Sequence, residues 1–456
     1  MEFPEPHPEV DVPRPLPLTG LTRETLKGLA WGASPVLRSS AALATSMTAL
    51  VATSLVTGPA LAEPLAAVCQ IARSRAHHSE GVDTWNAAYT RPTRALDAVL
   101  VFLSFPDATP GTTPTELTGD YFPDTSRFFE RASYGRFTLR PHPVDHWIRM
   151  PHPSTSYAIR RDWSIESRAT YLRDALAAAD KDVDFSRYDV VYLVADPDAP
   201  GVDSDATKVV NLDTPLRADG RDIRRVVTVF EKHPPDQLVL AHETGHVFDL
   251  PDLYHRPTDG KGDWDTYVGD WDLMGSQFGL APDLFAWHKW KLGWLDESQV
   301  VCVRAPGSTR LTLEPVAAGP TGVPQVPVSA GAAGALARGV EAFGSGHGTK
   351  LAVVRTGPDS VLAIEARGAV GNDGAACTQG VLVYRVRGET ESGGGPVEVL
   401  DAHPHSSACA GTSVYPPLAD APIREGETFT VPGEGVRVEV EGRTASGGWT
   451  VRIMKG

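Results

Sequence analysis

At 456 residues with 41% apolar side chains, the chain is long enough for two or three domains with substantial cores. Lys and Arg number 42 against 57 Asp and Glu, a formal net charge of −15 that no long basic stretch offsets. That balance excludes a nucleic-acid partner on electrostatic grounds.

The first 38 residues are Pro-rich and of mixed charge, after which residues 39–58 carry no charged side chain and are rich in Ala, Leu, Val and Thr. Gly58-Pro-Ala-Leu-Ala62 follows, and Ala60-Leu-Ala62 fits a small-x-small cleavage site. The Ser and Thr content suits a membrane span poorly. Residues 1–62 are therefore read as a leader with a signal peptide, and the mature chain as secreted, extracellular and free of stable membrane association. Residues 63–96 are polar and irregular, a strap or a short pro-segment.

A buried strand is expected over residues 96–104, followed by a Pro/Gly/Thr turn region, a helix over 124–132 and extended chain over 136–139. Residues 164–179 have the spacing of an amphipathic helix; 188–195 and 226–230 read as two more buried strands. Between them, residues 196–205 carry Asp196, Asp198, Asp203 and Asp205. Four carboxylates in ten residues offer the oxygen ligands of a structural Ca2+ ion, although the spacing of a known calcium loop is lacking and a solvated acidic loop is favoured.

The most informative stretch is Asp236-Gln-Leu-Val-Leu-Ala-His242-Glu243-Thr-Gly-His246-Val-Phe-Asp249-Leu-Pro251-Asp252-Leu-Tyr254. Asp236 is a helix N-cap, good helix formers follow, and Pro251 stops the helix by forcing Leu250 out of the helical region. Two histidines four apart on a helix share a face, because a turn takes about 3.6 residues. Both imidazoles can then reach one Zn2+ ion, while Glu243 lies near enough to take a proton from activated water. Gly245 lets the back of the helix approach a neighbouring element. The third ligand must come from the chain as it turns away, and Asp252 sits at that turn. Asp249 is the competing ligand if the helix runs on; Asp265 and His255 lie further downstream.

The residues here resemble the zinc site of the M6 peptidases, the immune inhibitor A family, whose motif runs His-Glu-x-x-His-x-x-Gly-x-x-Asp and commonly continues Pro-Asp-Leu-Tyr. Three further stretches are similar to that family: Phe128-Phe-Glu-Arg-Ala-Ser-Tyr-Gly-Arg-Phe-Thr-Leu139, Trp271-Asp-Leu-Met-Gly-Ser276, and Pro282-Asp-Leu-Phe-Ala-Trp-His-Lys-Trp-Lys-Leu-Gly-Trp294. The resemblance covers about residues 97–298. It implies a zincin-like α/β (α+β) catalytic domain with His242, His246 and Asp252 as zinc ligands, Glu243 as general base and Met274 in a Met-turn beneath the metal. Asp249 stands where the family has Gly; Asp tolerates the left-handed region, so the turn can survive.

After Trp294 the texture changes to short alternating runs between Gly and Pro, which reads as a C-terminal β-sandwich over residues 299–456. This part carries no catalytic constellation; His403-Pro-His405 reads as an exposed loop, and residues 319–348 as a mobile one. Four cysteines suit two disulfides, preferentially Cys377 with Cys409 and Cys69 with Cys302. Taken together the expectation is a monomeric, secreted zinc metalloendopeptidase acting on protein or peptide substrates. The rival is a secreted binding or adhesion protein that retains the fold with an impaired site. Zinc-dependent hydrolysis of another amide or ester would use the same residues. Tyr254 and His255 are the candidate donors to a developing oxyanion.

Overall fold

The structure, a computed structural model, describes residues 67–232, 235–257, 262–319 and 348–456. The expected leader and most of the expected 319–348 loop lie outside the described residues.

The first half is built on a mixed sheet in the order β2-β1-β4-β6-β5, comprising β1 (Ala95–Ser104), β2 (Thr138–Pro143), β4 (Val190–Ala195), β5 (Lys208–Ala218) and β6 (Arg221–Val229). A short strand, β3 (Ile148–Arg149), also pairs with β1. The β1, β2, β4 and β6 neighbours run parallel, and β5 closes the edge antiparallel to β6. Strand β1 shows why its sequence is almost continuously apolar. Leu96, Ala98, Leu100 and Phe102 enter one core, whereas Val99, Val101 and Leu103 enter the other. A parallel strand covered on both faces needs apolar side chains at both parities.

Helices α1 (Pro114–Tyr121) and α2 (Asp124–Ala132) contribute Leu117, Tyr121, Phe128 and Phe129 to the first core, which α4 (Gln237–Val247) also enters. Helix α3 (Ile165–Ala179), capped by Ser164, supplies Tyr171, Leu172 and Ala175 to the second. Helix α5 (Ala286–Leu292) ends at Gly293 with φ +82°, the left-handed C-cap that glycine adopts without a steric penalty.

One expectation needs correction, and one strand was not anticipated. The turn region after β1 contains α1, whose start was legible as Thr113-Pro-Thr-Glu116: the Thr113 side chain accepts from the Glu116 N–H, and the Glu116 carboxylate accepts from the Thr113 N–H. Strand β5 went unread because an edge strand that is half exposed shows no clean alternation, and its register is shifted between Asn211 and Leu216.

The second half has a five-stranded sheet in the order β12-β11-β10-β9-β7 and a four-stranded sheet in the order β13-β14-β15-β8. The strands are β7 (Val300–Val303), β8 (Gly307–Leu313), β9 (Leu351–Arg355), β10 (Ser360–Arg367), β11 (Gly380–Arg387), β12 (Val397–Val399), β13 (Thr428–Val431), β14 (Val436–Arg443) and β15 (Trp449–Lys455). Ala352, Val354, Leu362 and Ile364 of the larger sheet share an apolar cluster with Val438, Val451 and Ile453 of the smaller. The opposite parity, Leu351, Val353, Val361 and Ala363, belongs to the same core as α4 and α5. Texture changes near residue 298, but the core does not stop there, and the described residues form one compact unit.

The segment before β1 crosses both halves. Cys69 is bonded to Cys302 and Cys377 to Cys409, the preferred pairing. Ile71, His78, Ser79 and Glu80 are buried. Among the described residues no helix is long and apolar enough to cross a membrane.

Candidate metal centre

Asp236 caps α4 by accepting the Leu238 N–H, and every residue from Val239 to Val247 is buried. Gly245 leaves room for a close neighbour: a Cβ there would lie 2.5 Å from Met274 Sδ, which would have to move. Met274 is thus packed against the helix that carries both histidines. The Tyr192 hydroxyl on β4 bonds Thr244 Oγ1 at 2.8 Å, tying the same helix to the sheet.

Ligand atoms of His242, His246 and Asp252 lie within 4.8 Å of one another, and no other such group of His, Cys, Asp or Glu occurs among the described residues. Asp252 Oδ1 is 3.3 Å from His242 Nε2 and 3.0 Å from His246 Nε2. The outer nitrogens are engaged elsewhere. His242 Nδ1 is 2.9 Å from the Leu273 carbonyl and His246 Nδ1 is 2.7 Å from the Leu250 carbonyl. A carbonyl can only accept, so each Nδ1 carries its proton and each Nε2 can present a lone pair inward. Burial would lower the His246 pKa, but the Asp252 carboxylate outweighs it and raises the imidazole to about 9. Burial acts oppositely on Asp252, and the two histidines outweigh it, holding this carboxyl well below the usual range.

Glu243 is buried beside the group, and its Oε2 accepts the Val209 N–H of β5 at 2.6 Å. Burial raises its pKa against the opposing pull of His246 and His242. The edge strand missed in the sequence is therefore a wall of the centre.

Asp252, not Asp249, is the carboxylate brought to the histidines. Asp249 takes φ +66°, the left-handed turn that Asp tolerates, and its Oδ1 meets His78 Nδ1 at 3.2 Å. Arg73 is 3.9 Å from its other oxygen, and the buried Lys291 ammonium donates to its carbonyl. Neither His78 nor Lys291 was singled out from the sequence, because each is paired with residues distant along the chain.

A cavity of about 610 Å³ opens over the centre, lined also by Arg161, Lys208, Tyr254, Trp264 and Asp265. Tyr254 stacks on His242, with ring centroids 6.3 Å apart and planes 15° apart. His255 instead packs edge-on against Tyr267, so of the two candidate donors Tyr254 is the one that lines the cavity. Asp265 reaches the wall without joining the convergent group; burial and the nearby Asp263 raise its pKa to about 6.

The other sequence candidates serve local structure. Asp196 is buried and accepts the Asp198 N–H, and Asp203 accepts the Asp205 N–H, so the acidic loop gathers no convergent ligand set among the described residues. His403, expected in an exposed loop, bonds the Asp420 carbonyl through Nδ1 and Glu427 through Nε2.

No family model matches this chain, and no curated protein does. Among solved structures it is similar to wild-type OgpA from Akkermansia muciniphila in two crystal forms, at 10% identity and a TM-score of 0.25. The similarity covers 70% of this chain and 95% and 94% of those two chains, and at that TM-score it carries no argument about fold or activity. What the centre can do follows from its own donors.

Proposed function

We propose that this chain is a secreted zinc-dependent endopeptidase with a zincin-like catalytic half, in which Glu243 is the general base. The observation that carries the reading is the convergence of His242 Nε2, His246 Nε2 and Asp252 Oδ1 beside Glu243 at the floor of one cavity. The donor set fits the metal: two imidazoles whose Nδ1–H groups are held by carbonyls, each of which would give up any Nε2 proton on binding the ion, and one carboxylate would make the three protein ligands of a catalytic zinc site. Zinc bound there supplies Lewis acidity that activates water and polarises an acyl carbonyl.

The remaining steps belong to the chain. The Val209 N–H holds Glu243 Oε2, so the carboxylate is oriented before substrate arrives. Its other oxygen receives the proton of the attacking water and passes it to the leaving amine. Tyr254, on the cavity wall, donates its hydroxyl to the developing oxyanion. Burial and the adjacent Asp252 raise its pKa, which keeps that proton on the phenol. Two disulfides suit an oxidising, extracellular setting.

The test compares cleavage of unfolded casein by the secreted chain and by Glu243→Ala, each loaded with equimolar zinc. The variant is expected to bind zinc and to lose about 10²–10⁴-fold in kcat. Equal activity in the two proteins removes Glu243 from the chemistry. No activity in either, with zinc bound, favours a narrow-specificity enzyme, an inhibited zymogen or the binding-protein reading.

A further inference from the structure

The loop joining β11 to β12 reaches from the C-terminal sheets to Asp252. The Ser392 hydroxyl accepts the Asp252 N–H at 2.8 Å and donates to Asp252 Oδ2 at 3.1 Å. With its oxygen occupied as acceptor, its single proton is directed to that carboxylate. The next residue continues the clasp: the Gly393 N–H donates to the Asp252 carbonyl at 3.0 Å, and the Arg256 N–H donates to the Gly393 carbonyl at 3.1 Å.

We propose that Ser392 is a positioning residue for the metal centre, holding Oδ2 of Asp252 so that Oδ1 is the oxygen presented to the histidines. The inference rests on the metal-centre reading above and adds to it a residue 140 positions away. Asp252 follows Pro251 in a stretch with no regular secondary structure. Such a ligand must be ordered at an entropic cost on metal binding unless something orders it beforehand. The clasp does so on both sides, with backbone bonds along the chain and the Ser392 hydroxyl at the side chain.

The loop is itself anchored from the far end of the sequence. The Ser74 hydroxyl donates to the Gly388 carbonyl at 2.6 Å, and the His77 N–H donates to the Glu391 carboxylate at 2.9 Å. Three segments distant in sequence thus meet on one ligand: the strap holds the loop, and the loop holds Asp252. The C-terminal half is therefore part of the centre rather than an appendage to it.

The test is zinc affinity, measured by competition with a chromophoric chelator on the full secreted chain, together with the Tm of the metal-free protein. Ser392→Ala is expected to bind zinc roughly 10- to 100-fold more weakly, the usual consequence of removing an outer partner of a ligand. Ser392→Thr retains the hydroxyl and is expected to stay within about threefold of wild type. The metal-free Tm of both is expected to stay close to wild type, which a merely structural role for Ser392 would not allow alongside a loss of affinity. Affinity for Ser392→Ala within about twofold of wild type overturns the proposal and leaves the metal centre standing. So does Ser392→Thr as weak as Ser392→Ala with the Tm intact. Wild type that takes up no stoichiometric zinc overturns the metal-centre reading and this inference with it.

Discussion

Two clusters of histidine and carboxylate both bond to the segment from Trp271 to Met274, and they are built from the same residue types. In the cleft, His242, His246 and Asp252 aim their inner atoms at one point. In the other, His288 is fully buried between Asp272, 3.1 Å from Nδ1, and Glu80, 3.0 Å from Nε2. The second cluster spends both ring nitrogens on opposite partners, so its polar atoms diverge, and Glu80 Oε2 is left buried without a hydrogen-bond partner among the described residues. Asp272 also accepts the Met274 N–H at 2.7 Å and the Phe285 N–H at 2.7 Å. Nearby, Arg367 meets Glu365 at 2.9 Å and Asp373 at 3.1 Å, and its Nη2 donates to the carbonyls of Trp271, Ala281 and Asp283. The difference between the two is convergence: the inner atoms of the cleft cluster meet at one point, whereas those around His288 are spent on opposite partners.

The comparison breaks most visibly if the scaffold is disturbed. Arg367→Met leaves Glu365 and Asp373 buried without their cation and is expected to cost about 3–5 kcal/mol. Chemical denaturation measures this, and a loss under 1 kcal/mol would mean that the network is not the scaffold described. The cleft cluster should differ in gaining further stability from an incoming metal. At a free zinc concentration of about 1,000 Kd, wild type should gain about 4 kcal/mol and His246→Ala essentially none, read as the Tm difference with and without chelator. A zinc-dependent rise that persists in His246→Ala would remove this residue from the ligand set.

Tyr254→Phe sharpens the reading of the cavity wall. Loss of an oxyanion donor costs about 10²–10³-fold in kcat, with zinc affinity unchanged; a kcat near wild type would leave the hydroxyl without that role.

The smallest effect concerns pH. Burial opposes the charge on His288, but Glu80 and Asp272 outweigh it and lift the imidazole to about 9. A folded pKa above the unfolded value contributes stability fully present below about pH 6.5 and lost as pH rises through about 9. On the order of 1–3 kcal/mol should therefore disappear between pH 7 and 10. The stability gap between wild type and His288→Gln should narrow over that window, and a constant gap would contradict the assignment.

The strap belongs to the same contrast. Read as irregular polar sequence, residues 63–96 offered a choice between strap and pro-segment. Their buried contacts run to both clusters: His78 to Asp249 beside the cleft, Glu80 to His288 in the scaffold. No pattern within the segment marks these residues, since each partner is more than 150 positions away.

What the sequence determined by itself is what short-range physics controls. Helix α4, its Asp236 cap, its end before Pro251 and the common face of His242 and His246 follow from local capping, the missing proline N–H and the helical period. The buried strands β1 and β4 announced themselves because coverage on both faces demands a nearly continuous apolar run. Only the tertiary structure decided the rest. It separated Asp252 from Asp249, because the left-handed turn sends one carboxylate to the histidines and the other to His78. It also brought Val209 to Glu243 and Ser392 to Asp252. The reason is physical: hydrogen bonds between an edge strand, a loop and a ligand depend on which surfaces the hydrophobic cores press together, and no spacing along the chain encodes that.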